Sequence, residues 1–265
     1  MIRRFAVLGS YEAFKKSVFD LSKIDLNSYK ERQMKRRIEA LIAKCGIDSY
    51  ANYVSKLKSD EVIFDEFINY ITINVSEFFR NPEQWTLLEN EIFPYLFGHF
   101  GRELKIWSAA CSTGDEPYSL VMLLSKFMHL GKIKIYATDI DKNVLEKASI
   151  GLYHEKSLKA LPNEYLNKYF TKVNDKTYQV SDAIKSCVEF KKHDLLKDNY
   201  PSNCDLIICR NVLIYFTDEA KNKIYSNFNN ALKKDGLLFV GSTEQIIQAQ
   251  QIGFQNYKSF FYKKA

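Results

Sequence analysis

A chain of 265 residues, 46% hydrophobic and 26% charged, is long enough to bury a sizeable core in one large domain or two modest ones, and its composition excludes general disorder. Its five cysteines form no C-x-x-C pair and its four histidines are scattered, which argues against a disulfide framework and a metal centre. A formal net charge of +6 favours acidic partners without selecting nucleic acid among them. The longest apolar run, residues 120–124, falls far short of the roughly 20 residues of a bilayer span, and MIRRFAVLGSYEAF is too briefly hydrophobic for a signal peptide. The chain therefore reads as cytoplasmic.

Residues 1–100 carry helical periodicity and almost no glycine. Over 30–45, Met34, Ile38, Leu41, Ile42 and Cys45 make one apolar stripe at helical spacing, while Arg32, Lys35, Arg36, Arg37 and Lys44 fall elsewhere on the wheel. This basic face is either plain solvated surface or a contact for an acidic helical partner. Gly46 stops the helix, Asp48 or Ser49 caps a second over 50–57, and a third covers 61–73. NVSEFFRN (74–81) breaks the rhythm, with Pro82 close behind. One reading makes Asn74 and Ser76 caps of a helix starting near Ser76, with Phe78 and Phe79 packed inward. The other sets Arg80, beside aromatics, near a carboxylate or a cationic ligand.

From residue 104 the pattern becomes strand, turn, helix, strand. A strand over 104–107 runs into WSAACSTGDEPYS (107–119), where small side chains let backbone N–H groups approach a ligand and Pro117 opens a helix reaching 129. Such turns serve phosphates, dinucleotides and nucleosides alike, but this one lacks G-x-G-x-x-G. An alternating strand over 132–138 ends at Asp139, an acid placed to accept hydrogen bonds from both ribose hydroxyls, with Asp141 the alternate. The competing reading makes Asp139 a cap for a helix over 141–149. Repeated βα units imply a parallel sheet with its ligand over the carboxyl ends of the strands.

Residues 151–190 interrupt that rhythm with a helix over 158–170, short strands over 171–173, 177–180 and 188–191, and a turn at Asn174 and Asp175. A small antiparallel insert of this kind often carries partner specificity. The sheet resumes with DLIIC (205–209), a run suited to burial on both faces, and RNVLIYF (210–216) brings Arg210, Asn211 and Tyr215 to the ligand's rim. A helix over 218–233, a strand over 237–241 leading to residues 242–244, and a hairpin-like edge over 257–262 complete the chain.

Together WSAACSTGDEPYSL, ATDID, RNVLIYF and NVSEFFRN resemble the CheR family, the chemotaxis receptor methyltransferases, in register over nearly the whole chain. The resemblance implies an α/β fold: a Rossmann-like S-adenosylmethionine (SAM)-dependent methyltransferase sheet over 81–265, an N-terminal all-helical substrate-docking domain over 1–80, and a small antiparallel β insert over about 151–192. It implies methyl transfer from SAM to glutamate side chains of chemoreceptors, with S-adenosylhomocysteine as product, by a monomer that takes no metal, nucleic acid or membrane. Carried over by motif, Asn74, Ser76 and Arg80 reach the cofactor, Glu116 faces its methionine moiety, and Asp139 binds the ribose. Asp194 and Leu195 flank the adenine, and Arg210 and Asn211 line the fourth strand's edge. Arg80 and Tyr215 match positions beside the transferring methyl. Ser76 stands where threonine is frequent, Asp115 replaces the common first glutamate of its pair, and GSTE (241–244) differs from the frequent GHSE, so that loop receives no role. In some relatives the insert docks a receptor C-terminal tether peptide.

The chemistry suits these residues. A substrate glutamate has an ordinary pKa of about 4.3 and is already a carboxylate at pH 7, so no general base is needed. Transfer joins an anion to a sulfonium and yields two neutral products, which makes positioning in a dry site the main task. Because chemoreceptor methylation regions are acidic helical coiled coils, the resemblance makes Arg32, Arg36, Arg37 and Lys44 candidates for docking them. Two other readings share the cofactor motifs: a methyltransferase of another protein, small molecule or RNA, and a SAM-binding adaptor without turnover.

Overall fold

The computed structural model describes residues 9–265; residues 1–8, part of the segment read as lacking a signal peptide, lie outside the described residues. Two units divide the chain: the residues up to Ile73 with Tyr215–Lys221, and Asn74–Ile214 with Asn222–Ala265. The helical part thus ends at 73 and not at the expected 80. Its cause is packing: Phe78 lies edge-on to Tyr153 and Phe170, while Phe79 stacks on Tyr165 and leans on Trp85, all within the second unit. Segment 74–81 forms no helix, so Asn74 and Ser76 cap none there, although both phenylalanines are buried as expected.

The first unit is built on α1 (Tyr11–Ser22), α2 (Glu31–Lys44), α3 (Tyr50–Ser59) and α4 (Glu61–Thr72). Ser10, Ser49 and Asp60 each accept a first-turn N–H, satisfying donors that a helix start leaves open. The apolar stripes are buried: Phe67 lies edge-on to both Phe14 and Tyr53, and Ile38, Ile42 and Ile71 are shielded from solvent. Cys45, counted in the stripe, is exposed because α2 ends at Lys44 and Cys45 only caps it. Tyr215–Lys221 joins this unit by a β-bridge between Tyr29 and Phe216, whose rings stack 4.7 Å apart. The Lys30 N–H donates to the Tyr215 carbonyl (2.8 Å) and the Thr217 N–H to the Ser28 carbonyl (2.9 Å).

In the second unit, α5 (Pro82–Leu87) and α6 (Phe93–Phe100) precede β1 (Ile106–Ala109), α7 (Asp115–Leu124), β2 (Ile135–Asp139) and α8 (Lys142–Ile150). The insert follows as β3 (Leu152–His154), α9 (Asn163–Tyr169), β4 (Phe170–Asn174) and β5 (Thr177–Val180). After α10 (Asp182–Lys185) come β6 (Val188–Lys192), β7 (Cys204–Cys209), α11 (Asp218–Ala231), β8 (Leu232–Val240), β9 (Phe254–Lys258) and β10 (Phe261–Lys264). The main sheet has the order β6-β2-β1-β7-β8-β10-β9, parallel as far as β8 and antiparallel at β10 and β9. Strand order reverses between β1 and β7, which opens a crevice beyond their carboxyl ends.

Several boundaries differ from the sequence expectation for local reasons. β6 pairs in parallel with β2, from Ile135 opposite Val188 to Asp139 opposite Lys192, so it belongs to the main sheet and the insert spans 152–180, not 151–192. The helix expected over 158–170 is interrupted at Pro162, which fits only a helix start, and Phe170 passes to β4. β1 starts two residues later than 104 because the Lys105 N–H is taken by the Asp205 carboxylate (2.7 Å). α7 opens at Asp115, so Pro117 is its third residue, where a missing N–H leaves no intrahelical bond unmade.

Candidate functional site

Beyond β1 the backbone takes positive φ at Ala110 (62°), Ser112 (50°) and Gly114 (89°). Two bonds hold the loop in this form, Cys111 N–H to the Thr138 carbonyl and Ser112 N–H to the Asp139 carboxylate, each 2.8 Å. Gly114 also lacks room for a side chain: a Cβ would stand 2.9 Å from Ala148 Cβ and 3.1 Å from the Tyr153 hydroxyl. That hydroxyl, on β3 of the insert, donates to the Thr113 carbonyl. The insert therefore props the loop from behind.

Asp139 ends β2 and is buried. Its Oδ2 accepts the Ser112 N–H and its Oδ1 the Asp141 N–H (3.0 Å), which leaves acceptor capacity on both oxygens. Burial pushes its carboxyl up to about 6, opposed by the backbone N–H groups of Asp141 and Ser112. The cap of α8 is Asp141, which accepts the Asn143 N–H (2.9 Å) and an Asn74 amide N–H (2.8 Å), so Asn74 is drawn to these strand ends. Burial likewise pushes the Asp115 carboxyl up to about 6, against the hydrogen bond its Oδ2 accepts from the Thr113 hydroxyl (2.6 Å). Ser76 lies in the same segment as Asn74, two residues before the buried Phe78.

Glu116 and Arg210 form the charged centre. Glu116 Oε1 accepts the Ser108 hydroxyl (2.8 Å) and its Oε2 lies 3.5 Å from Arg210 Nη1. Burial raises the Glu116 carboxyl, with Arg210 and Ser108 opposing. Arg210 was expected at an open rim and is instead internal, its side chain only 3% exposed. Its Nη2 donates to Gln84 Oε1 (2.6 Å), the Arg80 carbonyl (2.9 Å) and Asn81 Oδ1 (3.3 Å), and its guanidinium lies 4.7 Å from the Phe239 ring centroid. The Trp85 indole N–H makes a second bond to the Arg80 carbonyl (2.9 Å). Arg80 thus has a pinned backbone, while its guanidinium makes one long bond, 3.4 Å to the Val75 carbonyl.

The remaining candidates are placed unevenly. Asn211 takes the left-handed conformation (φ 62°) at the end of β7, its N–H bound by Glu244 at the end of β8. Asp194 accepts the Leu196 N–H (2.8 Å) in the turn after β6, Leu195 is buried there, and the His193 N–H donates to the Asp139 carbonyl (2.9 Å), which brings this turn beside the end of β2. Tyr215 belongs to the helical unit. On α2, Arg32, Arg36 and Lys44 are exposed. Arg37 is not available in the same way: it donates to the Tyr70 carbonyl (2.7 Å) and stacks on that ring at 4.6 Å, fastening α2 to α4.

Gln84, Ser108, Tyr153 and Glu244 escaped sequence reasoning. Nothing near Gln84 or Ser108 marks them, and only the position of Glu244 after a small-residue run at a strand end could have signalled it. Burial pushes the Cys111 and Cys209 thiols well up, so neither offers a thiolate. Among the described residues no group of His, Cys, Asp and Glu could hold a metal ion, and no helix is long and apolar enough to cross a membrane. Ser112 Oγ and Asn211 Oδ1 are buried without a hydrogen-bond partner among the described residues. Buried polar atoms in native proteins are nearly always satisfied, and a nucleoside rich in hydroxyl and amine groups suits these two and the spare acceptors of Asp139.

Residues 9–72 match the family described as CheR methyltransferase, all-alpha domain, and residues 74–262 the one described as CheR methyltransferase, SAM binding domain. The chain is 42% identical over 241 residues to a chemotaxis protein methyltransferase of Listeria monocytogenes, covering 91% of this chain and 92% of that protein. It is 35% identical to one from Borreliella burgdorferi, covering 87% and 86% of the two chains, and 34% identical to one from Escherichia coli, covering 86% and 81%.

Proposed function

The chain belongs to the CheR methyltransferase family and is a SAM-dependent methyltransferase of chemoreceptors, and from that premise we propose that its acceptor is a receptor glutamate, converted to the γ-methyl ester. The observation that carries the placement of the cofactor is Asp139, buried at the end of β2 with acceptor capacity on both oxygens and bonded to the small-residue loop after β1. When bound, SAM supplies a methyl group on a positively charged sulfur. Asp139 accepts from the ribose, Asp194 and Leu195 flank the adenine, and Asn74, Ser76, Glu116 and Asn211 complete the site. Arg210 serves from behind, holding Glu116 and the Arg80 carbonyl.

No residue has to remove a proton, since the acceptor carboxylate is ionised at neutral pH. Arg80 orients it, with the backbone pinned by Trp85 and Arg210 and the guanidinium left to turn. A tight ion pair would stabilise the nucleophile in its ground state and slow the reaction, so the role of Arg80 is alignment. Tyr215, by its match to the family position, fixes the methyl donor.

Docking falls to Arg32 and Arg36, one turn apart on α2, with Lys44 further round. A receptor tether peptide, where one exists, takes the insert, whose β3 and β4 are edge strands. The protein acts as a monomer. Reversing Arg32 and Arg36 together to glutamate is expected to slow receptor methylation about tenfold at low salt and to leave the SAM Kd within twofold. The deficit shrinks as salt rises, because screening shortens from ~10 Å at 0.1 M to ~3 Å at 1 M. Unchanged initial rates in that variant would remove the docking role.

The reading as a whole is tested by incubating the protein with methyl-labelled SAM and a chemoreceptor cytoplasmic fragment. The expected result is receptor label released by mild base, as an ester requires. Base-stable label transfers the reading to another acceptor group, and SAM binding without transfer makes the protein an adaptor.

A further inference from the structure

We propose that Glu244 is a positioning residue for the cofactor, acting through Asn211; the inference rests on the assignment of Asn211 to the cofactor site. Glu244 is buried, and its carboxylate is shared among four backbone donors. Oε2 accepts the N–H groups of Asn211 (2.6 Å) and Gly241 (2.9 Å), and Oε1 those of Val212 (2.8 Å) and Leu213 (2.6 Å). One side chain at the end of β8 thus gathers three successive N–H groups of the turn after β7. A turn that aims consecutive N–H groups at one anion needs an unusual backbone, and Asn211 supplies it with φ 62°. Asparagine tolerates that region better than most residues, at a cost the carboxylate offsets.

The approach is close enough to dictate a second residue. A Cβ on Gly241 would lie 2.5 Å from Glu244 Oε2 and 2.8 Å from the Asn211 nitrogen. Only glycine lets the carboxylate in. With its backbone fixed, the Asn211 side chain has a defined direction, and its Oδ1 is buried with no protein partner among the described residues. Both oxygens of Glu244 are occupied by backbone, so it orients the residue that meets the ligand and does not itself extend to it.

The experiment is a double-mutant cycle on the SAM Kd, measured by calorimetry, with Asn211→Ala, Glu244→Gln and the pair together. The Gln amide turns a donor toward two of the four N–H groups and opens the clamp. Each single variant is expected to weaken SAM about tenfold, and the double to be within about twofold of the weaker single, since the clamp has nothing left to aim. For Glu244→Gln, turnover at saturating SAM stays within about threefold of the parent and the receptor KM is unchanged, a split that general destabilisation would not produce. Wild-type affinity in Glu244→Gln beside a weakened Asn211→Ala overturns the inference, as do losses that multiply in the double variant. An unaltered Kd in Asn211→Ala removes the underlying assignment instead, and with it any route through that residue. Should Glu244→Gln fail to fold, Gly241→Ala, which keeps the carboxylate but displaces it, takes its place in the cycle. Failure of both to fold assigns the clamp to stability alone and overturns the proposal.

Discussion

Replacing Arg210 by methionine is expected to destabilise the methyltransferase unit by about 3–5 kcal/mol, a fall in melting temperature of about 10 °C for a chain of this size. The guanidinium satisfies Gln84 Oε1, the Arg80 carbonyl and Asn81 Oδ1 and stands 3.5 Å from Glu116. Methionine fills much of its volume but donates nothing, so the acceptors are stranded and Glu116 remains as a buried charge with no counterion. The sign of the pH dependence follows from Glu116. Burial already raises its carboxyl above the ordinary value, and Arg210 opposes that rise, so the variant carries a still higher folded-state pKa. A carboxyl whose folded-state pKa exceeds its unfolded value costs stability while ionised, and the cost is relieved as pH falls through the folded-state value. The melting gap between variant and parent should therefore be narrower at pH 5 than at pH 8. Adding Glu116→Gln should recover part of the loss, because removing both charges is milder than removing one. A variant within about 1 kcal/mol of the parent would mean that the guanidinium is not what holds residues 80–84 to the sheet.

What was legible in the sequence follows the range of the interactions involved. The buried stripe of α2 and the buried run of β7 are local patterns, and both stand where the residues imply. The place of Asp139 at the end of β2 was legible as well, since an acid closing a strand after a small-residue turn needs only the order of elements to be understood. The unit boundary was not: Phe78 and Phe79 draw segment 74–81 to the sheet through contacts with Tyr153, Tyr165 and Phe170, residues far along the chain. β6 looked like part of the insert because nothing in VEFKK announces a parallel partner some fifty residues earlier. Arg210 is the sharpest case. A charge at a strand end is normally read as facing a ligand, but Gln84 and Glu116 make it cheaper to keep this one inside, and neither partner is visible from the local sequence.

Loss of the Asp139 carboxylate is expected to raise the SAM Kd about 100-fold, or about 2.7 kcal/mol. Hydrogen bonds to a charged acceptor are worth from about 1.5 kcal/mol each, and two ribose hydroxyls would lose theirs in Asp139→Ala, which at that lower end gives a loss of this order. The same carboxylate receives the Ser112 and Asp141 N–H groups, so its removal also loosens the loop after β1. Asp139→Asn separates the two effects: the amide can keep one backbone bond and one acceptor but has no charge, and an intermediate loss is expected. Asp141→Asn is the control for the alternate acid; asparagine caps a helix as well as aspartate does, so the variant should keep α8 in place and leave the Kd within about threefold. Protonation should imitate the mutation. With the Asp139 carboxyl pushed up to about 6, the ionised form that would accept from the ribose on the proposed reading is depleted as pH falls, and affinity should drop about tenfold between pH 7.5 and 5. Asp115, pushed up to about 6 as well, titrates in the same range, so the assignment depends on the variant: in Asp139→Asn the pH dependence should flatten. Tight, pH-dependent SAM binding that survives in Asp139→Asn and vanishes in Asp141→Asn would move the ribose to the other acid and displace the arrangement of the cofactor argued from it.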